Sequence, residues 1–216
     1  MTTLATAPLD ALLDRLFTEA EAPPSPEFRA ALNQTSPDER LPDYLRFYSR
    51  ANSAYLAVSR DTAQLLYMLV RSTGAREVVE FGTSFGISTL HLAAGLRDNG
   101  GGRVITTEFE PSKIERAREN FVAGGLDDLI EIREGDALQT LAHDLPEQID
   151  IVLLDGAKTL YLPVLKLLEE HLRPGALIVA DNTDKSPDYL EIVRSSAKGY
   201  TSVPFAEDVE LSMRAA

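Results

Sequence analysis

From residue 61 onward, short apolar runs of strand length alternate with stretches of helical periodicity, and this limits the fold more than any other feature. The strand-like runs lie at 77–81, 103–108, 129–133, 150–154 and 176–180. Helical segments separate most of them, near 87–97, 111–123, 136–143 and 160–172, and a helix over 61–73 precedes the first. Such alternation predicts a parallel sheet with helices on both faces. Ile151-Val152-Leu153-Leu154 has no polar alternation, which fits a central strand buried on both sides. Pro111 suits a helix start, and Arg173-Pro174-Gly175 a helix stop before the fifth strand. A helix near 187–197 and two further strands at 200–203 and 209–213 complete the pattern.

Residues 1–60 differ in character and are read as a helical extension, a cap or dimer contact, on a main domain spanning 61–216. Pro8, Pro23, Pro24, Pro26, Pro37 and Pro42 interrupt them. Between the breaks, Leu9, Leu12, Leu13, Leu16 and Phe17 form one apolar face, and Tyr44, Leu45, Phe47, Tyr48, Tyr55 and Leu56 an aromatic stretch.

In an open parallel sheet, ligands bind beyond the carboxyl ends of the strands. Here those ends carry Glu80-Phe81-Gly82-Thr83-Ser84-Phe85-Gly86, then Glu108, then Gly135-Asp136-Ala137, then Asp155-Gly156-Ala157-Lys158, then Asp181-Asn182. Structural turns account for one or two polar strand ends; five along one edge indicate a site. Gly82 and Gly86 permit a sharp turn and close approach of a ligand to the backbone. The following helix presents free N–H groups for a phosphate or carboxylate, with Ser88 as a further donor. Ser84 occupies the middle glycine position of GxGxxG, so the loop departs from the dinucleotide fingerprint. Glu108 is placed to accept hydrogen bonds from a ribose, as in sites for nicotinamide cofactors or S-adenosylmethionine. Asp155, Asp181 and Asn182 form an all-oxygen set suited to Mg²⁺, Mn²⁺ or Ca²⁺. For each, a plainer reading exists: Asp-Asn is ordinary turn chemistry, and Asp155 with Lys158 makes an unremarkable surface pair.

Taken together, VVEFGTSFGISTL, TTEFEP, REGDAL, IVLLDGAKTLY and ADN resemble the metal-dependent catechol and caffeoyl-CoA O-methyltransferases, from about Asp61 to Arg214. PFAEDVELSMR is similar to that family's closing hairpin. The resemblance implies an α/β fold, a doubly wound, mostly parallel seven-stranded Rossmann-like sheet with an antiparallel last strand. It implies S-adenosylmethionine bound by Glu80, Gly82, Ser84, Gly86, Ser88, Glu108, Asp136, Ala137 and Asp155, with Glu108 on the ribose and Ala137 near the adenine. It further implies Asp155, Asp181 and Asn182 as metal ligands, Lys158 as general base beside Asp155, Tyr161 near the same site, and a homodimer. A lysine serves as base only if its pKa is lowered. Gly156-Ala157 stand where the family often carries larger residues, which predicts extra room beside the cofactor or acceptor.

The expected reaction is methyl transfer to a hydroxyl of a small catechol-like or hydroxylated natural-product acceptor. The alternatives are a metal-independent O- or N-methyltransferase, a nucleotide-binding oxidoreductase on the same sheet, and a non-catalytic protein retaining the fold. A net charge of −13 disfavours nucleic acid as a partner. No apolar run approaches a membrane span, and with no cysteine there is no disulfide or thiol chemistry. MTTLATAPLD lacks the basic flank of a secretory signal, so a cytoplasmic location is expected. His91, His143 and His171 are isolated from the strand-end set.

Overall fold

The computed structural model describes residues 1–21, 26, 29–30, 44–49, 54–206 and 208–215. Pro23, Pro24, Pro37 and Pro42 fall outside the described residues. The helices are α1 (Leu9–Ala20), α2 (Tyr44–Tyr48), α3 (Arg60–Thr73), α4 (Ile87–Asp98), α5 (Pro111–Gly124), α6 (Ala137–Thr140), α7 (Tyr161–Leu168) and α8 (Pro187–Val193). The strands are β1 (Glu77–Phe81), β2 (Arg103–Glu108), β3 (Ile130–Glu134), β4 (Ile149–Leu154), β5 (Leu172–Ala180), β6 (Tyr200–Pro204) and β7 (Glu210–Arg214).

They form one seven-stranded sheet in the order β3-β2-β1-β4-β5-β7-β6, in which β7 runs antiparallel to both neighbours. The expected architecture is the one observed. Side chains alternate across β4: Ile151 and Leu153 enter one core with Val70, Leu90 and Phe121, and Val152 and Leu154 enter another with Tyr161, Leu165 and Tyr189. That two-sided burial is the physical source of the unbroken apolar run, each such side chain contributing about 1.5–3 kcal/mol. The apolar face of α1, from Leu9 to Phe17, joins the first of these cores.

Helix ends follow local chemistry. Ser59 Oγ accepts the Thr62 N–H at 3.0 Å to start α3, and Gly74 ends it in the left-handed region. Pro111 opens α5, with the Glu110 carboxylate accepting from Lys113 N at 3.0 Å.

Several boundaries differ from expectation, and two of the differences have a clear physical cause. Arg173-Pro174-Gly175 does not precede β5 but lies inside it; the register with β4 slips from Ile149↔Leu172 to Ile151↔Leu177. Proline without an N–H and Gly175 at φ +79° create an irregularity that the strand survives. The segment 136–143 is helical only over α6. There the Arg133 guanidinium donates to the carbonyls of Thr140, His143 and Asp144 at 2.7–2.9 Å, satisfying groups that a longer helix would use.

The strand order reverses between β1 and β4. Asp155 N donates to Phe81 O at 2.9 Å, so the loops after these two strands leave the sheet side by side. A ligand crevice belongs at that switch point.

Candidate functional site

A cavity of about 600 Å³ opens there, a size suited to one or two small ligands. Gly82, Ser84, Glu108, Ala137, Asp155, Lys158, Asp181 and Asn182 all line it. The structure therefore brings most of the strand-end residues to one space. Tyr44, Leu45, Tyr48, Tyr55 and Leu56 form an aromatic and apolar wall from the N-terminal region.

Glu108 is nearly buried, and its carboxylate is fixed by backbone donors. Oε2 accepts from Ser84 N at 2.9 Å; Oε1 accepts from Phe109 N at 2.9 Å and Glu110 N at 3.1 Å. The tie from Ser84, itself left-handed at φ +48°, holds the first loop against the end of β2. Ala137 faces the cavity, whereas Asp136 caps α6 by accepting from Leu138 N at 2.9 Å and pairs with the Tyr44 hydroxyl.

Glu80 and Ser88 are placed differently from expectation. Glu80 is fully buried and does not line the cavity; Ser88 Oγ and Thr89 Oγ1, each at 2.5 Å, and Thr106 Oγ1 at 2.6 Å donate to its carboxylate. Ser88 thus spends its one proton on Glu80, and reaches only a small recess beside the cavity. The pair supports the loop from beneath.

Burial pushes the Glu80 carboxyl from 4.5 up to about 7, against the opposing pull of the three hydroxyls. Between these values the folded protein keeps a proton that the unfolded chain has lost. Stability therefore falls as pH rises from 4.5 to about 7. We predict that Glu80→Gln removes about 3 kcal/mol of that fall, at 1.36 kcal/mol per unit. Urea unfolding of both proteins between pH 4.5 and 7.5 checks this, and parallel stability curves would contradict it.

The glycines are demanded by the protein's own packing. Gly82, at φ +106°, lies so close to the Asp155 backbone that a Cβ would sit 2.8 Å from its carbonyl oxygen. Gly86, at φ +88°, abuts the Phe121 ring and does not line the cavity. A Cβ on Gly156 would meet the Phe81 ring at 2.4 Å, so that small residue is filled by Phe81 and leaves no extra room.

At the other end of the cavity, Lys158 Nζ donates to Asp155 Oδ1 at 2.8 Å and to Tyr161 Oη at 2.9 Å; Tyr161 donates to the Asp181 carbonyl at 2.7 Å. The Lys158 and Asp155 side chains are only 15% and 8% exposed, so this is a buried pair rather than a surface one. Burial alone would lower the Lys158 pKa, but the Asp155 carboxylate and Tyr161 outweigh it and hold the ammonium above the ordinary lysine range. These neighbours do not produce the lowered value required of a base. Burial, and then the neighbouring Asp155, raise the Asp181 carboxyl; the two acids hydrogen-bond each other. Asn182 adopts φ +51° and its amide nitrogen donates to Asp208 Oδ2 at 2.9 Å. Among the described residues, no group of three or more His, Cys, Asp or Glu side chains is placed to hold a metal. The candidate set is two carboxylates and one amide.

Sequence reasoning missed Lys113, which lies in the cavity wall with only 5% exposure. Its signal was available: Lys113 heads the stripe Lys113, Ala117, Phe121, whose other members are core. Asp208, the partner of Asn182, left no such trace.

Among known proteins, a family model described as O-methyltransferase matches residues 34–209. A catechol O-methyltransferase of Mycobacterium tuberculosis is 34% identical over 164 residues, 75% of this chain and 74% of that one. The crystal structure of cofactor-bound Rv0187 from MTB superposes with a TM-score of 0.67 at 25% identity, covering 94% and 95% of the two chains. TomG from Streptomyces achromogenes, an O-methyltransferase solved in complex with SAM, shares the fold at a TM-score of 0.66 and 23% identity over 94% and 96%.

Proposed function

The chain belongs to the O-methyltransferase family, and on that premise we propose that it moves the methyl group of S-adenosylmethionine to a hydroxyl of a small catechol-like acceptor. The observation that carries this is one cavity lined by both sets of residues, with Glu108 and Ala137 beyond β2 and β3 at one end and Asp155, Lys158 and Asp181 beyond β4 and β5 at the other. One end suits a nucleoside; the other suits an oxygen being activated.

Cofactor fit rests on Glu108, whose ionised oxygens accept hydroxyls, on the Ser84 and Gly82 backbone, and on the apolar Ala137 and Phe109. The wall of Tyr44, Leu45, Tyr48, Tyr55 and Leu56 suits a planar acceptor and is read as a lid. The donor chemistry also fits a hard cation: Asp155 and Asp181 hydrogen-bond each other, burial raises both carboxyls and Asp155 raises Asp181 further, so the pair gains from replacing a shared proton by a metal. Asp155, Asp181 and Asn182 would hold it. Once bound, a divalent cation would supply positive charge that lowers an acceptor hydroxyl's pKa and offsets the field of Asp155 on Lys158.

The chain's own residues then do the following. Two N–H bonds of Lys158 are taken by Asp155 and Tyr161, leaving a third to orient the acceptor oxygen. Once that third proton has left to solvent, the neutral amine keeps its bonds to Asp155 and Tyr161, and the Nζ lone pair receives the hydroxyl proton. The oxygen attacks the methyl carbon, the C–S bond breaks, and sulfur keeps its electron pair. Products are a methyl ether, S-adenosylhomocysteine and a proton. Holding both substrates in one enclosed space supplies much of the acceleration.

A metal-independent reading has its own support, since Lys158 already neutralises Asp155 and Asn182 is engaged by Asp208. Transfer of a labelled methyl group to 1,2-dihydroxybenzene, run with excess chelator and with added Mg²⁺, separates the two. We predict that chelation abolishes turnover and Mg²⁺ restores it; full turnover in chelator favours the metal-independent alternative. A homodimer and a cytoplasmic location, both expected from the sequence, belong to the same proposal. No helix among the described residues is long and apolar enough to cross a membrane.

A further inference from the structure

Lys113 sits where a lysine is costly. It is 5% exposed, it occupies the first turn of α5 at the positive end of the helix, and burial lowers its pKa. Among the described residues, the only hydrogen-bond partner of its ammonium is Ser84 Oγ at 3.5 Å, the outer limit for such a bond. The ring of Phe85 lies 5.4 Å away. Glu108, Glu110 and Asp155 act on the ammonium only through space. Rule-breaking of this kind, in a residue that lines a cavity, points to a ligand.

Glu108 identifies which part of the ligand. A carboxylate offers about four lone-pair sites, and backbone N–H groups already fill three of these. About one remains, whereas a ribose diol brings two hydroxyls. Glu108 therefore satisfies one of them and leaves the other without a partner. Lys113 lies beside it, joined through Ser84, which gives its N–H to Glu108 and its hydroxyl oxygen to Lys113.

We infer that Lys113 is the second half of a ribose clamp, its ammonium donating to the ribose hydroxyl that Glu108 has no room to accept. The inference rests on the reading that the cavity takes an adenosyl cofactor. An acceptor and a donor side by side also favour the diol over a phosphate, which Glu108 would repel.

Calorimetry with S-adenosylhomocysteine and with 5′-methylthioadenosine, which lacks the amino acid part, tests this on the wild type and K113M. Methionine keeps the buried stem and removes the charge. Both ligands are expected to bind K113M about ten- to a hundredfold more weakly, by the same factor. Weakening of S-adenosylhomocysteine alone would assign Lys113 to the carboxylate and overturn the clamp, as would unchanged affinity for both. A wild type that binds neither ligand refutes the cofactor reading itself, and the clamp with it. A second measurement needs no variant: 2′-deoxy and 3′-deoxy forms of 5′-methylthioadenosine should each bind the wild type about tenfold more weakly. If one deletion is neutral, Glu108 serves the ribose alone and the clamp is wrong.

Discussion

Lys158→Met is expected to lower kcat by about 10²–10⁴-fold while changing cofactor affinity by less than about threefold. Among the described residues, the ammonium is the one cation hydrogen-bonded to Asp155 and Tyr161 and, through the Tyr161 hydroxyl, linked to the Asp181 carbonyl. Methionine retains the length of the stem but leaves the Asp155 carboxylate buried without its counter-charge. Breaking a buried pair from one side costs about 3–5 kcal/mol of stability, so an activity loss needs a control for unfolding. The double variant D155N/K158M supplies it, because removing both charges restores most of the stability without restoring chemistry. Turnover above a tenth of wild type in a folded K158M would show that the proton leaves by another route.

Glu108→Ala is expected to raise the KM for S-adenosylmethionine about a hundredfold and leave the acceptor KM unchanged. Hydrogen bonds to a charged group contribute about 1.5–3 kcal/mol each, and the variant loses the ribose contact. It also strands the N–H groups of Ser84, Phe109 and Glu110, which loosens the first loop. A lower melting temperature should accompany the KM effect. Initial rates with each substrate varied in turn provide the check. An equal rise in both KM values would mean that the loop has collapsed generally, and that Glu108 is not specific to the cofactor.

Much of this was legible because strand burial and strand ends leave strong local marks. The run Ile151 to Leu154 implied a central strand, and the topology then carried Glu108, Asp155 and Asp181 to one edge. The site residues that the sequence misplaced share a different property: their roles depend on what packs against them. Gly86 and Gly156 look like openings for a ligand, yet their missing Cβ atoms make room for Phe121 and Phe81. Ser88 resembles a donor to a cofactor until Glu80 is seen eight residues back and 2.5 Å away. Lys113 carries no motif of its own, and only its spacing to Ala117 and Phe121 puts it on the buried face. The early end of α6 was likewise hidden, since Arg133 reaches its carbonyls from the preceding strand.

The central claim is a division of labour within one cavity, with the cofactor held from the end of β2 and the acceptor oxygen handled from the end of β4. The most direct measurement is calorimetric binding of S-adenosylhomocysteine to E108A and K158M side by side, each compared with the wild type. A loss of about a hundredfold is expected for E108A, and near-native affinity for K158M. Equal losses in both, or native affinity in E108A, would contradict it.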